Sequence, residues 1–95
     1  MSKFAYLKFV TKSNLYIVKD LDLDLKKLKK IGNRLKKIRL QKNLTQKDLA
    51  FLIDVEISQI TRIERGIINT SILNIIKISE ALEIPLSDFF KDFEL

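Results

Sequence analysis

Residues 45–66 read TQKDLAFLIDVEISQITRIERG, and the way this stretch divides decides the fold. Thr45 has Asp48 three residues on, a short-armed capping box that opens a helix of about two turns. Leu49, Leu52 and Ile53 follow at helical spacing as its inner face. The pattern breaks at Asp54-Val55. A second helix is expected over residues 55–65, with Ile60 and Ile63 turned inward and Gly66 as its stop. Ser58, Gln59, Thr61, Arg62 and Arg65 then fall on or near the exposed side.

The same rules extend outward from this pair. Leu25, Leu28, Ile31, Leu35 and Ile38 recur every three or four residues, the buried stripe of a first helix that runs to about Lys42. Asp24 is its expected N-cap, and Asn43 stands where a left-handed residue ends it. Downstream, Ser71 caps a fourth helix with Ile72, Ile75, Ile76, Ile78, Ala81 and Leu82 as a wide apolar face. Pro85 separates it from a short last helix containing LSDFFKDF. The expectation is an all-α domain of five helices over residues 24–95. Residues 1–23 differ: FAYLKFV and LYIVK are aromatic and β-branched around a polar TKSN, which reads as a β-hairpin or as a loose N-terminal arm.

Composition narrows the chemistry. The 95 residues with 46% hydrophobic content suffice for one modest core, too little to enclose a large cavity. Cysteine and histidine are both absent, which removes disulfides, thiolate catalysis, Cys-based zinc sites and the commonest general base. Asp20, Asp22 and Asp24 alternate without the glycine and distal glutamate of a calcium loop. No catalytic set, metal site or cofactor is expected. Charged residues interrupt every apolar run, so neither a membrane span nor a secretory signal is expected, and the location is taken as cytoplasmic.

Charge is distributed unevenly. Lys26, Lys27, Lys29, Lys30, Arg34, Lys36, Lys37, Arg39, Lys42 and Lys47 occur with no acid among them, whereas the chain from Lys77 onward is mainly acidic. One end should attract polyanions. A short helix, a tight turn and a helix with an outer polar face make a helix-turn-helix arrangement, whose second helix enters the DNA major groove. Ordinary surface helices show the same polar face, so spacing alone leaves both readings open.

TQKDLAFLIDVEISQITRIERG, followed by NTSILNIIKISEALEIPLSDFF, resembles the lambda-repressor-like, Cro-type helix-turn-helix family, also called the XRE family. Thr45-Gln46, Leu49-Ala50, Ile60, Ile63-Glu64-Arg65-Gly66, Asn69, Ser71 and Ala81-Leu82 all fall at its spacings. The resemblance covers about residues 30–93. It implies base reading by Ile57, Ser58 and Arg62, with Gln59 and Thr61 close by. It also implies phosphate contacts from Gln46, with Thr45 and Lys47 beside it, and from Arg65 and Asn69. Arg39 and Glu64 match a buried structural ion pair. Five positions depart from the family: Asp54 replaces the usual turn glycine, Glu56 replaces a Ser or Thr cap, Ile67 and Ile68 replace residues that are often basic, and Thr70 replaces a common proline.

The chain is also similar to the controller proteins of restriction-modification systems, which implies a homodimer on a palindromic operator in double-stranded DNA. Leu86, Phe89, Phe90 and Phe93 are the expected dimer seam. Two other readings share the scaffold: an antitoxin whose N-terminal arm holds a toxin or other protein partner, and an adaptor that has lost sequence reading.

Overall fold

The computed structural model describes residues 14–91, with side chains from residue 22 onward. Five helices follow in order: α1 (Asn14–Gln41), α2 (Gln46–Ile53), α3 (Ile57–Arg65), α4 (Ile72–Ala81) and α5 (Leu86–Phe89). No strand occurs among the described residues.

The first helix departs most from the expected start. It is 28 residues long and passes through Asp24 without a break, so Asp24 is not an N-cap. LYIVK lies within it, which overturns the second strand of the expected hairpin; the first strand falls outside the described residues. Helical continuity wins because no Pro or Gly interrupts residues 14–31, and a lone hairpin has no sheet to pair with. Asp22 and Asp24 pair with Lys26 and Lys27 along the helix surface, each at 3.8 Å.

Only the C-terminal part of the α1 stripe reaches the core. Leu35 and Ile38 are buried, Leu28 and Ile31 half-buried, and Leu25 exposed. The rest of the core comes from Leu49, Ala50 and Ile53 of α2, Ile60 and Ile63 of α3, Ile78, Leu82 and Phe89. Leu52, expected inward, is 53% exposed, because α2 turns only Leu49, Ala50 and Ile53 toward its neighbours. Ile72 and Ile76 of the expected α4 face are exposed too.

Helix ends are built by one device used four times. Asn43, Asp54, Gly66 and Glu83 all take left-handed φ, between 56° and 71°. The next backbone N–H then reaches back five residues: Leu44 to the Arg39 carbonyl, Val55 to Ala50, Ile67 to Arg62 and Ile84 to Ser79. Asp54 thus fills the turn position without glycine, at the modest cost a short polar side chain allows. The starts are capped by Thr45, in a reciprocal box with Asp48, and by Ser71. The Thr45 N–H donates to the Asp48 carboxylate and holds that carboxyl below its usual range. This part of the cap is complete above the unfolded-state value and is lost as pH falls through the folded one.

Two close approaches lock α1 onto α3. A Cβ on Gly32 would stand 2.3 Å from the Ile63 carbonyl oxygen, and one on Gly66 would stand 2.6 Å from the Lys29 Cα. At the far end, Arg34 Nη2 donates to the Lys91 carbonyl at 2.6 Å, tying α1 to the chain just after α5.

Candidate nucleic-acid interface

The centre of the site is a buried polar network that fixes α3. Arg39 Nε and Nη2 donate to the two carboxylate oxygens of Glu64 at 2.6 and 3.0 Å, and Nη1 donates to the Leu44 carbonyl at 2.7 Å. Gln46 Nε2 donates to Glu64 Oε1 at 3.0 Å, while its Oε1 accepts from the Thr61 hydroxyl at 2.7 Å. Arg39 and Glu64 are each 5% exposed, and no buried side-chain polar atom lacks a partner among the described residues. Hydrogen bonding to Glu64 holds the Arg39 guanidinium above its ordinary pKa, so it is charged at every working pH.

Three elements meet in this network: α1 through Arg39, the start of α2 through Gln46, and α3 through Thr61 and Glu64. The two oxygens of one carboxylate take a planar guanidinium in parallel, a geometry that fixes orientation as well as distance. The outer face of α3 is thereby presented in one orientation.

The expected reading residues divide over that face. Ile57 is 44% exposed, and Ser58 and Arg62, one turn apart, are exposed. Gln59 and Thr61 are half-buried, and the Thr61 hydroxyl is committed to Gln46 and to the Ile57 carbonyl. Thr61 therefore buttresses the helix with its hydroxyl instead of offering it outward. Glu56 caps α3 by backbone geometry alone, with no side-chain hydrogen bond, which leaves its exposed carboxylate beside the helix start.

Of the residues expected at phosphates, Thr45, Lys47, Arg65 and Asn69 are exposed and Gln46 is half-buried. Gln46 and Arg65 line one open depression with Lys29, Asn33 and Lys36 of α1. The sequence reading gave these three α1 residues no individual role, although their i, i+4, i+7 spacing puts them on one helix face. Ile67 is exposed, but Ile68 packs against the core, so the outer surface is less apolar than the sequence pattern suggests.

The expected dimer seam also divides. Phe89 is 1% exposed and belongs to the monomer core, since burying a phenyl ring contributes roughly 1.5–3 kcal/mol. It is not available to a partner. Leu86 and Phe90 are 40% and 44% exposed, and Phe93 lies outside the described residues.

A helix-turn-helix pair pinned to a scaffold by a buried Arg–Glu bridge defines a class. The chain belongs to the helix-turn-helix family of the lambda-repressor-like, XRE type: the family model described as "Helix-turn-helix" matches residues 35–89. Within it the chain is similar to restriction-modification controllers. It is 42% identical over 66 residues to the control protein C.MunI of a Mycoplasma species, covering 68% of this chain and 89% of that one. The crystal structure of C.AhdI from Aeromonas hydrophila superposes with a TM-score of 0.65 at 41% identity, covering 66% of this chain and 96% of that one. The C.Esp1396I tetramer in complex with its natural 35-base-pair operator matches at 36% identity and a TM-score of 0.64, covering 70% of this chain and 87% of that one.

Among the described residues, no group of acidic side chains could hold a metal ion, and no helix is long and apolar enough to cross a membrane.

Proposed function

We propose that the protein is a sequence-specific, double-stranded DNA-binding transcriptional regulator of the controller type, acting in the cytoplasm as a homodimer on a palindromic operator. The observation that carries this reading is the network of Arg39, Glu64, Gln46 and Thr61, which holds the exposed Ser58 and Arg62 in a fixed orientation. In this reading α3 enters the major groove. Arg62 reads a guanine edge through its guanidinium, Ser58 reads beside it, and Ile57 meets a thymine methyl. Thr45, Gln46, Lys47, Arg65 and Asn69 face the backbone, which sets register without reading sequence.

The controller relatives support this reading over the antitoxin and adaptor alternatives, one of them being a tetramer on its operator. The role assignment has a direct test in binding titrations against a panel of single-base operator variants. Arg62→Ala relaxes discrimination at one base pair by about 1–3 kcal/mol, whereas Arg65→Ala weakens all sequences alike. Equal, sequence-independent losses from both would remove Arg62 from the reading role.

A homodimer places two α3 helices about 34 Å apart on one face of the duplex. Leu86 and Phe90 supply its exposed apolar contact. Phe90→Ser is expected to shift sedimentation from dimer to monomer while the melting temperature of the monomer fold holds, because Phe89 and not Phe90 fills the core. A dimer of unchanged affinity would move the interface away from α5.

A further inference from the structure

Lys29, Asn33 and Lys36 on one face of α1, with Gln46 of α2 and Arg65 of α3, line an open depression of about 490 Å³. Three of these groups are cations, and none of them forms a salt bridge among the described residues. The one acid in the lining, Glu64, has both oxygens taken by Arg39 and Gln46. Its charge is compensated inside the protein, and the rim stays positive.

The backbone positions that carry these cations are also held in place. The packing at Gly32 and Gly66 brings the Lys29 backbone within van der Waals reach of the end of α3, so the α1 lysines and Arg65 keep a fixed spacing. Positive side chains carried at fixed backbone spacing around a concave surface, with an amide donor between them, suit an anion with several acceptor oxygens. Lysine is a point charge that attracts phosphate without a base-reading fork. The depression also opens beside Gln46 and Arg65, which already face the backbone in the proposed complex.

We propose that this depression is a second backbone-phosphate site for duplex DNA, formed by Lys29 and Lys36 of α1 with Arg65, and with the Asn33 amide as a neutral donor. It rests on the DNA-binding reading and extends the contact surface from the helix-turn-helix onto α1. It adds affinity and salt sensitivity and leaves base preference to α3.

The test is a fluorescence-polarisation titration of the full chain with two labelled duplexes, one carrying a sequence selected from a random pool and one scrambled, over about 50 to 300 mM salt. Lys29→Gln combined with Lys36→Gln should make the slope of log affinity against log salt shallower by about 1.8, the value of one phosphate contact in each protomer of the bound dimer. Binding to both duplexes should weaken roughly thirtyfold at about 0.15 M salt, with their affinity ratio unchanged. Lys42→Gln removes one charge, as Lys36→Gln does, but beside Ile84 and Asp88 in a separate depression, and should keep the wild-type slope. Lys36→Gln alone reports the same trend should the double variant fold poorly. A double-variant slope equal to that of Lys42→Gln overturns the site while DNA binding stands, as does a loss confined to the selected duplex. If the wild type binds neither duplex even at low salt, the DNA-binding reading fails and the site fails with it.

Discussion

Gly32→Ala is expected to lower stability by about 3 kcal/mol, against the ordinary trend in which alanine in a helix gains roughly 1 kcal/mol over glycine. The reversal comes from the crossing of α1 over the end of α3. The new Cβ would meet the Ile63 carbonyl oxygen at 2.3 Å and the Glu64 carbonyl oxygen at 2.6 Å. These are backbone atoms, so no side-chain rotation relieves the overlap, and the two helices must separate. For a domain of this size the loss corresponds to a melting temperature lower by about 12 °C or more. A thermal melt that is unchanged or raised would show that α1 does not lie so close to α3. The same separation pulls Arg39 away from Glu64, so DNA affinity should fall as well.

The second large effect is at the buried ion pair. Arg39→Met keeps the apolar stem and removes the guanidinium, leaving the Glu64 carboxylate buried with Gln46 as its remaining side-chain donor. Stranding one partner of a buried pair costs about 3–5 kcal/mol. The Leu44 carbonyl also loses its donor. Replacing both partners, Arg39→Met with Glu64→Met, should recover much of that loss, since two apolar groups carry no unpaired charge. Denaturant melts of the two single variants and the double variant close the cycle. A double variant as unstable as the sum of the singles would mean the two residues do not act as a pair. Specific DNA binding should remain impaired in the double variant even where stability returns, because the orientation of α3 depends on the bidentate contact.

Much of this architecture was legible in residues 43–71, where local chemistry and tertiary role agree. Thr45 and Ser71 cap, Asn43, Asp54 and Gly66 turn the chain, and Ile60 and Ile63 point inward. Elsewhere periodicity marked an apolar face but could not tell how much of it another element covers. The α1 stripe was legible as a stripe, yet Leu25 stands 41% exposed because nothing described packs on it, and Phe89 is buried where Phe90 is not. Gly32, Arg34 and Glu83 gave no local signal. Gly32 matters because of a crossing partner 31 residues away, Arg34 because of carbonyls far downstream, and Glu83 takes a left-handed φ that its side chain does not favour. In the candidate site, the Arg39–Glu64 pair followed from family resemblance and the structure forms it. The inward role of the Thr61 hydroxyl emerged only from the Gln46 geometry.

In the proposed complex α3, held by the buried network, reads base sequence. Selection of bound duplexes from a random pool by the full chain, at about 0.15 M salt, addresses it most directly. The expected product is an inverted repeat with half-sites about one helical turn apart, in which Arg62→Ala loses preference at a single position of each half. Recovery of no shared sequence, with all duplexes held equally and only at low salt, would contradict it.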